Sequence, residues 1–325
     1  MEKVVDKKGD LASLILFILI MVLFLFGDVL VKGVNVPSFT LQVGTIFLSI
    51  LLEAIPFILL GVFASSLIQT FVSEQMVQKW IPKRPLAALV PAAVVGALLP
   101  ICECAIIPVV RRLIAKGMPL HVGVVIMVTA PILNPVVFAS TYYAFSSNMS
   151  IVYGRMGIAF VASLIIGLIV YVIFQNHLPL KSIKHSHDHH VNSRLTETLT
   201  HAIDEFFDVG RYLIIGAFVA SFFQVVINRE ILVEVGQHEI IGPALMMGLA
   251  YVLSLCSEAD AFVAASFTST FTPASLLAFL IYGPMIDFKN TLMMLAYFRR
   301  IFVVIFIGVV TTVVYVCIYI FHFIG

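Results

Sequence analysis

Apolar residues in this chain come in long blocks, most of them around 18 residues or more, parted by short polar interruptions. A block of that length is enough to cross a hydrocarbon layer roughly 30 Å thick as helix. The candidate segments are 11–31, 43–71, 86–115, 119–145, 156–175, 206–227, 240–270, 274–297 and 301–323. Helix is the default for each, because a segment in lipid must bond its backbone groups within itself. The first block, Leu11 to about Val31, is long for a signal-peptide core and lacks a small-x-small cleavage pattern, so it reads as an anchor. The stretch 176–205 is the one sizeable polar interruption, with Lys181, Lys184, Asp188, Arg194, Glu197, Asp204, Glu205 and a run of histidines.

The two sides of that interruption resemble each other. Leu60-Gly61-Val62-Phe63-Ala64-Ser65-Ser66 lines up with Ile215-Gly216-Ala217-Phe218-Val219-Ala220-Ser221, 155 residues on. Leu99 to Ala105 lines up with Leu253 to Ala259 after 154 residues, and Ala130 to Asn134 with Gly283 to Asp287 after 153. Three matches in one order at nearly constant spacing predict an internal repeat. The chain then divides into 1–40 (tail and first helix), 41–175 (first repeat), 176–200 (polar linker) and 201–325 (second repeat).

Lysine and arginine in short loops orient the segments. Lys3, Lys7 and Lys8 place the N-terminal tail in the cytoplasm, and Lys79, Lys83 and Arg84 place the end of the second segment there. Arg111, Arg112 and Lys116 at the end of 86–115 would fall outside if that segment were a simple span. Pro100 interrupts its middle, since proline removes a donor and disfavours helix in the residue before it. A re-entrant hairpin resolves the conflict. Three spans plus one hairpin per half make the halves opposite in orientation, the inverted repeat common in secondary transporters, whereas four full spans per half would make the repeats parallel. The expected fold is an all-α polytopic membrane protein with about nine transmembrane segments in two inverted repeats, each with a broken or re-entrant helix.

Composition agrees with a membrane protein. Apolar residues make up 61% of the 325 and charged residues 11%, against about 25% in soluble domains, and mean hydropathy is +1.09. A net charge of +1 implies no polyanionic partner, so no nucleic acid.

The chemistry sits in the apolar blocks. Pro100-Ile101-Cys102-Glu103-Cys104-Ala105-Ile106-Ile107-Pro108 puts two thiols and a carboxylate between prolines. A carboxylate at the bilayer centre costs roughly 2.5–3.5 kcal/mol on insertion scales, so it normally faces protein or water. Thiolates bind soft metals and metalloids, whereas Cys-x-Cys alone is too tight to define a tetrahedral zinc site. The matching stretch Leu255-Cys256-Ser257-Glu258-Ala259-Asp260-Ala261 carries a thiol and two carboxyls. These acids can cap a half-helix, carry protons or coordinate an ion. Asn134, between Pro131 and Pro135, and Asp287, after Pro284, form a matched polar pair that serves either as ligands or as interhelical hydrogen-bonding groups. Glu53, Asp208 and Arg211 form a secondary set, and His121 reads as a packing residue. His185, His187, His189 and His190, with Asp188, are metal-ligand candidates in the linker on composition alone. No nucleophile has a recognisable base partner, and there is no Walker loop, dinucleotide turn or HExxH, so no enzyme is expected.

Pro100-Ile101-Cys102-Glu103-Cys104 with Pro108, Lys116-Gly117-Met118-Pro119, Ala130-Pro131-Ile132-Leu133-Asn134-Pro135 and Leu255 to Phe262 together resemble the predicted permeases that include the organoarsenical efflux permeases. The resemblance covers about 40–323. It implies a multi-pass permease of a bacterial or archaeal cytoplasmic membrane. For some members it implies efflux of trivalent organoarsenicals through cysteine thiols, here Cys102, Cys104 and Cys256. It also implies that a second membrane protein can act as partner. Residues and resemblance together predict a secondary-transport exporter of a thiophilic metalloid or metal species, in contact with membrane lipids. Cys102, Glu103, Cys104, Asn134, Cys256, Glu258, Asp260 and Asp287 form its binding set. It needs no cofactor, any metal being cargo or a linker ligand. The competing expectation is a non-transporting scaffold, or a metal- or lipid-handling subunit of a two-component membrane complex.

Overall fold

A computed structural model describes residues 38–71, 73, 75–76, 86–174, 179–180, 194–226, 238 and 240–324. The first predicted segment, 11–31, and the histidines of the linker lie outside the described residues. The chain forms two units, Met1–Thr45 and Ile46–Gly325. In the first, the described residues open a helix in which the Thr45 hydroxyl donates to the Leu41 carbonyl at 2.8 Å.

The helices run in the order α1 Ser38–Phe71, α2 Leu89–Leu98 (entered through a 3-10 turn, Leu86–Ala88), α3 Glu103–Ala115, α4 Leu120–Leu133, α5 Pro135–Ala144, α6 Met149–Ile173, α7 Arg194–Val226, α8 Ile241–Leu253, α9 Asp260–Ala265, α10 Pro273–Met285, α11 Phe288–Tyr297 and α12 Arg300–Ile324. Among the described residues the one non-helical pairing is an isolated antiparallel bridge between Leu180 and Phe298. Among the described residues five stretches are long and apolar enough to cross a membrane: Ser38–Phe71, Leu120–Ala144, Met149–Ile173, Glu205–Val226 and Arg300–Phe323. Leu86–Leu98 and Ile241–Leu253 are shorter apolar helices.

Burial sorts these elements. In α4 every residue from Leu120 to Ile132 is buried, and in α10 every residue from Ala274 to Met285. A helix apolar on all sides belongs in the interior. By contrast α1, α6 and α12 leave Leu60, Phe63, Val172, Ile301 and Val304 exposed. Such faces would be a liability in water but sit at no cost against lipid tails, which are as apolar as leucine.

The interior helices are broken in four places, each with a local cause. Pro100 turns Leu99 out of helix (φ −84°, ψ 111°), so α2 ends, and the Ile101 amide donates back to the Leu99 carbonyl at 2.8 Å before α3 begins after Cys102. Pro135 does the same to Asn134 (φ −69°, ψ 155°) between α4 and α5. The Asn134 side chain then caps α5 by accepting from the Val137 amide at 2.9 Å. Asp287 caps α11 likewise, accepting from the Asn290 amide at 2.6 Å. After α8, Ser254 takes the left-handed conformation (φ 48°, ψ 45°), a position of strain for a residue with a Cβ.

Paired lengths run through the two halves: 14 and 13 residues in α4 and α10, 10 and 10 in α5 and α11, 25 and 25 in α6 and α12. The glycines of the first sequence match have one task. A Cβ on Gly61 would lie 2.6 Å from that of Ala105, and one on Gly216 3.1 Å from the Cα of Lys289. Each lets a long helix close on the short helix that bears site residues.

Candidate functional site

Two of the helix breaks, the α1 helix and the start of α11 enclose a small cavity. It is lined by Glu53 and Phe57 of α1, Cys102, Glu103 and Cys104 at the start of α3, Ser254, Leu255 and Cys256 after α8, and Lys289 of α11, with Ile50 and Ala54 behind. About 30 Å³ is open to the centre of a water-sized sphere, against the roughly 10–15 Å³ that one water needs by the same measure. The space suits a small ion or a few bonded atoms.

The motifs from the two halves therefore meet. Cys102 and Cys104 are buried free thiols, and Cys256 is a half-buried one. Cys256 donates to the Glu53 carboxylate across the cavity. Glu103 is 3% exposed, and among the described residues its Oε2 has no hydrogen-bond partner. Its Oε1 lies 3.4 Å from the Lys289 ammonium, which also approaches the Ser254 carbonyl at 3.2 Å and Asp287 Oδ2 at 3.6 Å. One lysine thus ties together the breaks before α3, after α8 and before α11.

The remaining sequence candidates stand apart from the cavity wall. Asp260 opens α9 and pairs with Arg155 of α6 at 2.8 Å, both side chains being buried. Arg155 also donates to Thr141 Oγ1 of α5 at 2.7 Å and to the Ser257 carbonyl at 3.4 Å, beside Cys256. Glu258 is half-buried in the same loop. Asn134 is occupied at its cap, and its Nδ2 donates to the Ala130 carbonyl at 2.9 Å. Among the described residues no three His, Cys, Asp or Glu side chains are grouped to hold a metal ion. His121 packs edge-on against Tyr171, with ring centroids 4.9 Å apart.

Sequence reasoning missed Lys289, Arg155 and Ser254. The first had a signal: a second charge two residues from Asp287 inside an apolar block. Arg155 stands one residue before the predicted segment 156–175, yet it is 0% exposed within α6. Arg111 and Arg112, taken as loop charges, are buried as well. They pair with Glu205 of α7 at 3.4 and 3.3 Å, while the Ser65 hydroxyl donates to the same carboxylate at 2.9 Å.

Long apolar helices, lipid-suited outer faces and a polar cavity at interrupted helices define a multi-pass membrane protein of the permease class. The chain belongs to the predicted permease family, which matches residues 40–323. It is 51% identical over 278 residues to the Bacillus subtilis protein named "UPF0718 protein YcgR", covering 84% of this chain and 95% of that one. It is 39% identical over 279 residues to a Streptococcus mutans protein named "Putative two-component membrane permease complex subunit", covering 84% and 93%. No solved structure shows significant similarity to it.

Proposed function

We propose that this permease is a secondary transporter that exports a thiophilic metalloid or metal species through the cavity at Cys102, Cys104 and Cys256. One observation carries the reading: three thiols from two distant parts of the chain line a single cavity with a buried carboxylate. Soft ions and metalloids bind thiolates. Two adjacent thiols at the start of α3 can take two valences of such a species, and Cys256 faces them from the other half. Glu103 inside the cavity, and Asp287 through Lys289, are placed to coordinate the cargo or carry a coupling ion. Asp260, held by Arg155, shapes the loop that carries Cys256.

In this reading the halves form an inverted repeat, the broken helices meet at the midplane, and the chain spans a bacterial or archaeal cytoplasmic membrane about nine times. The paired helix lengths and the interruption of each half at matching points support it. The test is protection of cells against a trivalent arsenical. Cys102→Ser with Cys104→Ser should abolish protection while leaving the amount of protein in the membrane unchanged. Full protection by that variant would remove the thiols from the account.

A second reading rests on the Streptococcus mutans relative, named as a subunit of a two-component membrane permease complex. Here the chain works with a second membrane protein. Flux from the purified chain alone in vesicles would argue against an obligatory partner. A co-purifying membrane protein that is needed for flux would support one.

A further inference from the structure

Lys289 sits where a bound cation would be expected. It is 3% exposed, and its three oxygen neighbours come from three different helix breaks: the Ser254 carbonyl, Glu103 and Asp287. Its distances to them, 3.2, 3.4 and 3.6 Å, all exceed the roughly 2.7–2.9 Å of a tight charge-assisted bond. Among the described residues Glu103 Oε2 is buried without a hydrogen-bond partner, and Asp287 Oδ2 has only the ammonium, beyond hydrogen-bond distance at 3.6 Å. Buried acceptors of this kind normally find a hydrogen-bond partner. Glu103 itself lines the cavity, so its spare oxygen belongs to a group that solutes entering the cavity reach. The ammonium is a compact charge on a flexible four-carbon stem.

We propose that Lys289 is a tethered cation occupying an ion site of this cavity, and that a small free cation and the Lys289 ammonium exclude each other on Glu103 and Asp287. Arrival of the free cation moves the ammonium off Glu103, and with it the tie between the breaks before α3, after α8 and before α11. Departure of the cation lets the tie re-form. The exchange links occupancy to the relative placement of the broken helices, which is what coupled transport requires. The proposal rests on the cavity being the transport site but uses no thiol, so the thiol reading can fail while this one stands.

The full chain, purified in detergent, tests it. Thermal unfolding is followed by far-ultraviolet circular dichroism while sodium chloride replaces choline chloride at constant ionic strength. A tethered competitor is present at high effective concentration, so Lys289→Met should lower the sodium concentration for half-maximal stabilisation by about tenfold or more relative to the wild type. Adding Glu103→Gln to Lys289→Met should abolish that response. Folded Lys289→Met with an unchanged sodium response overturns the proposal, as does a response that survives Glu103→Gln. If Lys289→Met does not fold, the wild type carries the test: a saturable sodium effect lost in Glu103→Gln supports the proposal, and no sodium effect overturns it. A cadmium arm separates cargo from coupling ion. Stabilisation by cadmium that disappears in Cys102→Ser/Cys104→Ser, with the sodium effect intact, assigns the hard ion to the Lys289 position. Loss of both effects in that variant overturns the assignment.

Discussion

Replacing Arg155 by methionine breaks a buried ion pair between α6 and α9. Arg155 and Asp260 are both buried, and their closest atoms are 2.8 Å apart. Methionine keeps much of the apolar stem and removes the charge, leaving the Asp260 carboxylate buried with no counter-ion. Breaking a buried pair in this one-sided way costs about 3–5 kcal/mol. Thr141 adds little to that loss, because its hydroxyl keeps its own bond to the Val137 carbonyl at 2.7 Å. Removing both partners is different. Arg155→Met with Asp260→Leu leaves no orphaned charge, and apolar replacement of a whole buried pair is often neutral or stabilising. The double variant should therefore recover to within about 1 kcal/mol of the wild type, with a large coupling energy between the sites. Equilibrium unfolding in mixed detergent micelles, followed by circular dichroism on the wild type, both single variants and the double, measures the cycle. Additive single and double variants, or an Arg155→Met protein within about 1 kcal/mol of the wild type, would refute the reasoning.

Two further outcomes are expected. Gly61→Ala should destabilise by about 1–3 kcal/mol, because the new methyl would lie 2.6 Å from the Ala105 Cβ, 2.7 Å from its Cα and 2.8 Å from its carbonyl oxygen; Ala105→Gly in the same chain should restore little of the loss in the same unfolding assay, since the two backbone clashes remain. Glu205→Gln removes the charge that Arg111, Arg112 and Ser65 converge on, and should lower stability by about 1.5–3 kcal/mol, read from the unfolding midpoint.

Apolar blocks and prolines made much of the architecture legible in the sequence. The interruption at Pro100 and the matched polar positions Asn134 and Asp287 fall at helix breaks. Local chemistry determines these features: a missing amide donor, a steric clash before proline, a side chain that caps. Burial of charge was not legible. Arg111, Arg112 and Arg155 stand at or near the ends of apolar blocks, where a charge reads as loop, although all three are buried and paired. Their partners, Glu205 and Asp260, lie about a hundred residues away, and no local pattern links a charge to a counter-ion at that distance. The extent of α7 escaped for a related reason. Its first turns, from Arg194, are polar, whereas the search followed apolar runs. At the site, thiols and carboxyls announced themselves by standing in apolar surroundings, so Cys102, Glu103, Cys104 and Cys256 were found. Asn134 was found for the same reason, yet the structure employs it as a cap. Lys289 obeyed the same rule and was passed over beside Asp287. The strain at Ser254 left no mark at all, since a serine with positive φ looks like any other serine.

The central claim is that the thiols of the two halves face one cargo. Crosslinking tests it most directly: a short bifunctional thiol reagent applied to membranes containing the Cys317→Ser protein. The account predicts that Cys256 joins Cys102 or Cys104, that a trivalent arsenical which bridges thiols prevents the joining, and that joined protein no longer moves cargo. Reactive but unjoined cysteines, or joined protein with undiminished transport, would contradict it.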